Sequence, residues 1–198
     1  MQKKEAILNI ATRLFSEKGF KETPISEISR LTGVAEGTIF YHFKNKEELF
    51  VVILKEFRDS IIQEFQRYTE EKNFENGLKM VEDVIWFYLH IASSMEDRFL
   101  LLHRHYAYEL SQSNPKCREY LEAIYNCLAD IFERAILLGQ QDGSITEEIQ
   151  ARKSALIIFA MVDALVRFNT YNLYDAGALY VEAINICHRF LEKDRKSG

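Results

Sequence analysis

Proline occurs only twice in this chain, at Pro24 and Pro115, and each stands directly behind a residue type that starts helices, Thr23 and Asn114. With so few breakers, and eight glycines gathered at a few points, the chain is committed to long helices rather than many short strands. Its 198 residues, 47% of them apolar, are enough to bury a real core. No apolar run reaches the roughly 18 residues of a membrane span. The stretch from Met1 to Leu8 runs straight into helical periodicity, so a secretory leader is not expected and a cytoplasmic location follows. Cys117, Cys127 and Cys187 form no CxxC and read as buried thiols rather than a disulfide framework.

Ile7, Leu8, Ile10, Ala11, Leu14 and Phe15 fall on one helical face between Lys3 and Lys18, and Gly19 closes that helix. Thr23-Pro24 predicts an N-cap and first residue for a second helix presenting Ile25, Ile28 and Leu31 before Gly33. A third begins near Ala35 and carries Thr38, Ile39, Tyr41, His42 and Phe43. Asn45-Lys46-Glu47-Glu48 reads as an N-cap with a carboxylate at the third helical position, opening a long helix to about Tyr68. Further helices are predicted at 74–92, 95–111, 115–141, 146–171 and 175–193, with Gly143 as a helix end and Ser144-Ile145-Thr146-Glu147 as a capping box. The tail from Lys193 is expected to fray. The fold class is therefore all-α, with a three-helix helix-turn-helix headpiece over 1–46 and a helical-bundle body over 47–198, divisions to which DNA binding and ligand binding with dimerisation are assigned below.

Charge divides along the same line. Residues 1–46 carry eight Lys/Arg against five Glu, a net of +3, and the remaining 17 basic and 25 acidic residues give −8. A basic head on an acidic body places any polyanion contact at the amino end.

Over residues 7–50 the sequence resembles the tetracycline-repressor (TetR) family of bacterial regulators. The match is carried by Ile7, Ala11, Leu14-Phe15, Gly19-Phe20, Thr23, Ile28 and the run Gly33-Val34-Ala35-Glu36-Gly37-Thr38-Ile39-Phe40-Tyr41-His42-Phe43-Lys44-Asn45-Lys46-Glu47-Glu48-Leu49. The resemblance implies a sequence-specific DNA-binding regulator, acting as a repressor. It puts Glu36, Gly37 and Tyr41 at base-reading positions and Thr38, His42 and Lys46 at backbone-contacting ones. It further implies that the last two helices pair across a two-fold axis. The chain departs from the pattern at Phe40, where family members carry Tyr and often aim its hydroxyl at the DNA backbone; Tyr41 next door can supply one.

The residue types suit those roles. A recognition helix must enter the major groove and offer short polar groups to phosphates and base edges. Gly37 permits close backbone approach, Thr38, Tyr41 and His42 can donate, and Glu36 can accept from a cytosine amino group. Lys46, with Lys44 beside it, adds a cation to the amino end of the following helix. Thr23 reads equally as such a contact or as a plain N-cap. The long helix from Asn45 can couple the headpiece to events in the body.

Twenty of the 25 aromatic residues lie after residue 46. Phe99, His103, Tyr106 and Leu110 share one helical face, and Trp86, Leu89 and His90 another. Polar tips on apolar stripes suit a pocket for a small hydrophobic or amphipathic effector, so Trp86, His90, Phe99, His103, Tyr106, Phe159 and Asp163 are its candidate lining. Asp163, Arg167 and Asn169 fit that pocket or the dimer seam alike. No metal is expected: His103 and His105, two apart, point to different faces of a helix, and His42 has no second ligand at suitable spacing. Small residues such as Ala155, Ala160, Ala164 and Ala183 allow close approach of the last two helices. A two-fold dimer calls for a pseudo-palindromic operator on double-stranded DNA. An effector-independent DNA-binding dimer is the alternative. An enzyme is remote, because no Gly-rich phosphate loop, nucleophile elbow, HExxH or motif-borne carboxylate pair is present; no catalytic residue or cofactor is assigned.

Overall fold

The computed structural model describes residues 2–171, 173–174 and 176–192. It contains ten helices, α1 (Gln2–Glu17), α2 (Ile25–Thr32), α3 (Glu36–His42), α4 (Lys46–Glu71), α5 (Gly77–Ser94), α6 (Glu96–His103), α7 (His105–Ser111), α8 (Pro115–Asp142), α9 (Ala151–Thr170) and α10 (Ala176–Leu191). Among the described residues, β structure is limited to one antiparallel bridge between Ile145 and Glu192. The chain forms two compact units, Met1–Ile62 with Met95–Ile124, and Gln63–Ser94 with Tyr125–Gly198. The expected fraying from Lys193 onward lies outside the described residues.

In the first unit, Ile7, Leu8, Ala11, Leu14 and Phe15 of α1 join Ile28, Ile39, Phe43, Leu49 and Phe50 in a buried core. The turn between α2 and α3 needs Gly33, whose φ of +67° is left-handed. Asn45 caps α4 as expected: its Oδ1 accepts from Glu48 N (2.8 Å), while Glu48 Oε2 accepts from Lys44 N (2.6 Å). Asn114 starts α8 the same way, accepting from Lys116 N and Cys117 N at 3.1 Å. At 26 residues, α4 is about 39 Å long.

In the second unit, α5 packs on α9 and α10 through Met80, Val81, Val84, Ile85, Tyr88 and Ile91, all buried. Its first turn meets α8 backbone to backbone. A Cβ on Gly77 would lie 1.9 Å from Gly139 N, so no larger residue fits there. Gly77 N also donates to Asp142 Oδ2 (2.7 Å).

Three local expectations are corrected. Thr23 does not cap α2; Pro24 occupies that position. The Thr23 hydroxyl instead reaches back to Gly19 O (2.8 Å) and Leu14 O (3.3 Å) and is fully buried. The single helix expected over 95–111 breaks at Arg104, which is extended at φ −74° and ψ 141°. Its guanidinium donates to Ser16 O (2.6 and 3.0 Å) and Glu17 O (2.7 Å) at the end of α1, a pull no local signal announces. Finally, Ser144–Glu147 is a loop rather than a capping box, and α9 starts at Ala151. Thr146 N donates to Leu191 O (2.9 Å), and Gln140 Nε2 holds Thr146 O and Ile149 O. These long-range bonds win over the local box.

Candidate nucleic-acid interface

Helix α3 has seven residues and buries Ile39, with Phe43 closing its carboxyl end inside the core. With that face inward, the opposite side turns to solvent. Tyr41 is 85% exposed and Phe40 46% exposed; Glu36 and Gly37 are exposed, and Thr38 and His42 half-exposed. A Cβ on Gly37 would meet nothing within 4 Å, so the space above it is open to a ligand's approach. The Tyr41 ring stands edge-on to His42, centroids 5.4 Å apart. Glu36, Gly37, Thr38, Tyr41, His42 and the exposed Lys44 are thus gathered on one accessible surface.

Two expected contacts stand elsewhere. The Thr23 side chain offers DNA nothing, because its hydroxyl proton is spent in the core on Leu14 O and Gly19 O. Lys46 turns inward: Nζ donates to Phe20 O (2.9 Å) and Thr23 O (3.0 Å) and lies 4.4 Å from the Phe20 ring centroid. Desolvation by burial lowers its pKa, with Glu22 partly offsetting. The ammonium therefore fastens the α1–α2 turn first, with one N–H left over for a phosphate.

That turn is held from behind as well. Phe20 packs among Phe15, Phe50 and Tyr106, and the Tyr106 ring lies flat on it. Ser16 Oγ donates to Asp97 (3.2 Å), and Lys21 pairs with Glu109 (3.1 Å). Helices α6 and α7 are therefore fastened to the headpiece through α1. Tyr106 is a headpiece contact, not a pocket residue, because the break at Arg104 takes it off the face shared by Phe99 and His103.

Those two remain together and buried, ring centroids 6.4 Å apart. Trp86 is 46% exposed and His90 exposed on the solvent side of α5, so neither lines an interior. The inward residue is Tyr88, between them. Its hydroxyl donates to Asp163 Oδ1 (2.7 Å), and its ring meets Phe159 edge-on at 6.0 Å. Tyr125 lies 5.9 Å from the same Phe159 ring, and Arg167 reaches Asp163 Oδ2 at 3.5 Å. Burial and the Asp163 charge push the Tyr88 hydroxyl well above its usual pKa, so it donates at every ordinary pH. The apolar period Val81, Val84, Ile85, Tyr88 could have pointed to Tyr88; the polar tips of Trp86 and His90 drew attention to the wrong face. Apart from this cluster, the second unit has an open groove of about 560 Å³ lined by residues including Lys72, Phe74, Met80, Arg134 and Leu137.

A family model for bacterial regulatory proteins of the tetR family matches residues 7–53, the helix-turn-helix and the start of α4. The fatty acid metabolism regulator protein of Bacillus subtilis (strain 168) is 26% identical over 188 residues, 87% of each chain. Its amino-terminal quarter is thus matched to the tetR family. With these matches the chain is a DNA-binding transcription regulator. Among solved TetR-like folds, FadR from Bacillus subtilis in complex with stearoyl-CoA superposes with a TM-score of 0.74 at 24% identity, covering 94% of this chain and 98% of the other. A transcriptional regulator from Saccharomonospora viridis in complex with choline gives 0.83 at 18% identity, over 97% and 98%. Both likenesses are of fold. No helix among the described residues is long and apolar enough to cross a membrane.

Proposed function

We propose that this TetR-family chain is a cytoplasmic repressor without enzymatic activity, binding a pseudo-palindromic operator as a homodimer and releasing it when a small effector occupies the body. One observation carries the DNA-binding half. A seven-residue helix with Ile39 buried presents Tyr41, 85% exposed, beside Glu36, Gly37, Thr38 and His42. Phe40 and Tyr41, both exposed, set two aromatic rings beside those polar groups on one short helix, a mixed surface suited to base edges and phosphates. Tyr41, Gly37 and Glu36 read base edges, and Thr38, His42, Lys44 and the remaining Lys46 proton take phosphates.

The dimer forms through α9 and α10. Ile157 is 63% exposed, and Leu156, Val181, Ile186 and Phe190 are likewise exposed on these two helices. A two-fold axis there sets the spacing of the two recognition helices, which must be about 34–36 Å to meet successive major grooves.

The effector site is the Tyr88–Phe159–Asp163–Tyr125 cluster between α5, α8 and α9. Apolar walls with a few convergent polar groups suit an amphipathic molecule, and relatives with bound stearoyl-CoA and choline mark the range of chemistry to try. Helices α6 and α7 hold the headpiece within the first unit, Arg104 on the end of α1 and Tyr106 on Phe20. Thermal shift with long-chain acyl-CoA, free fatty acids and choline tests this: a binder at 100 times its Kd adds about 2.7 kcal/mol and displaces the operator. A stabiliser that leaves DNA affinity unchanged, or no stabiliser in the series, leaves an effector-independent dimer.

A further inference from the structure

Of the eight basic residues in the headpiece, four are held by the protein itself. Lys18 and Arg30 pair with Glu27, Lys21 pairs with Glu109, and Lys46 sits on backbone carbonyls. Lys3, Lys4, Arg13 and Lys44 remain, all exposed and, among the described residues, in no ion pair. Two of these four, Lys4 and Lys44, flank one residue. The Lys4 ammonium lies 5.9 Å from the centroid of the Phe43 ring, and Phe43 is the residue that closes α3. Lys3 is its neighbour on the first turn of α1, and Lys44 follows Phe43 in the turn to α4. The only carboxylate on that first turn is Glu5. Uncommitted positive charge thus flanks the carboxyl end of the recognition helix at Lys4 and Lys44, with Lys3 next to Lys4 in the chain.

A helix lying in a major groove about 12 Å wide has a phosphate strand on each flank. We propose that Lys3 and Lys4 bind the DNA phosphate backbone at the α3 carboxyl end, making the amino end of α1 an anchor separate from the α3 surface. Phe43 fixes where Lys4 stands: the cation rests over the ring that closes α3, at the edge of the core. Such an anchor is blind to sequence, since phosphates carry none. It adds affinity on any duplex and sharpens salt dependence. The inference rests on the DNA-binding reading above.

The test is fluorescence anisotropy of the full-length chain on two labelled duplexes, an operator selected from a random pool and a scrambled duplex of the same length, across a salt series. Each phosphate that is no longer neutralised makes the slope of log affinity against log salt shallower by about 0.9, so Lys3→Gln/Lys4→Gln in a dimer is expected to flatten it by roughly 3.6. Both duplexes weaken by the same factor, and Lys3→Arg/Lys4→Arg restores the slope. Should the double variant melt below the wild type, Lys3→Gln alone carries the test with half the change. An unchanged slope, or weakening on the operator alone, overturns the proposal. A wild-type chain that ignores both duplexes overturns the DNA-binding reading itself, and this anchor with it.

Discussion

The ring of Tyr106 lies flat on the ring of Phe20, with centroids 3.7 Å apart and planes within 8°. Phe20 belongs to the α1–α2 turn and Tyr106 to α7, so this stack joins the headpiece to a helix more than 80 residues away in sequence. On the other side of Phe20 sits the Lys46 ammonium, 4.4 Å from the ring centroid. One phenyl ring thus receives both α7 and the first turn of α4.

Tyr106→Ala is expected to cost about 2–4 kcal/mol, the loss of a packed aromatic side chain plus its stacking geometry. Tyr106→Phe keeps the stack and is expected to stay within about 0.5 kcal/mol. Urea denaturation of both variants checks this. Equal losses in the two would mean that the hydroxyl, not the ring, holds the contact.

Lys46 has two tasks that one pair of measurements separates. Removing its bonds to Phe20 O and Thr23 O in Lys46→Met is expected to lower stability by about 1–3 kcal/mol, since two carbonyls lose charged donors. DNA affinity falls too, through the loosened turn and the missing phosphate donor. A variant with wild-type melting and weakened DNA binding would make Lys46 a phosphate ligand alone.

Phe40 marks where the chain leaves its family's pattern. At 46% exposure the ring has room for a hydroxyl. Phe40→Tyr is expected to tighten operator and scrambled DNA alike by roughly 2- to 10-fold, the worth of one net hydrogen bond to a phosphate. Anisotropy titrations read the result; unchanged or weaker binding would show that residue 40 faces away from the backbone.

Burial pushes the thiols of Cys117, Cys127 and Cys187 up to about 11 from an ordinary value of 9.0. Their folded pKa values are raised, so the stability they support is complete below pH 9 and is lost as pH rises towards 11. Burial raises Tyr88 and Tyr106 in the same sense, while Lys46, lowered by desolvation, opposes them. The urea midpoint is expected to fall between pH 9 and 11, with the native thiols slow towards a disulfide reagent below that range. A midpoint that rises across the window would contradict the assignment.

Much of the fold is legible in the sequence because its signals are local. Asn45 and Asn114 cap the helices they announce, and Gly19, Gly33 and Gly143 all take the left-handed conformation expected of helix ends. What stays hidden depends on distant partners. The break at Arg104 comes from carbonyls of Ser16 and Glu17, and the loop at Ser144–Glu147 from Leu191. The outward face of α3 is readable for a similar reason. Ile39 and Phe43 define a buried face on α3, which leaves Tyr41 outward. The interior polar cluster was only half readable: Phe159 and Asp163 follow from their place in an apolar helix, whereas Tyr88 is distinguished from Trp86 only by the register of α5.

The regulator works only if the outward face of α3 enters a duplex groove. Titrating the full-length chain onto its own promoter DNA over a salt series, beside Tyr41→Ala, tests it most directly. The account predicts a log–log slope near −5 to −7, corresponding to about six to eight phosphates, and a Tyr41→Ala variant that no longer distinguishes the promoter from scrambled DNA. A wild-type chain that fails to bind at low salt, or a Tyr41→Ala variant with undiminished discrimination, would contradict it.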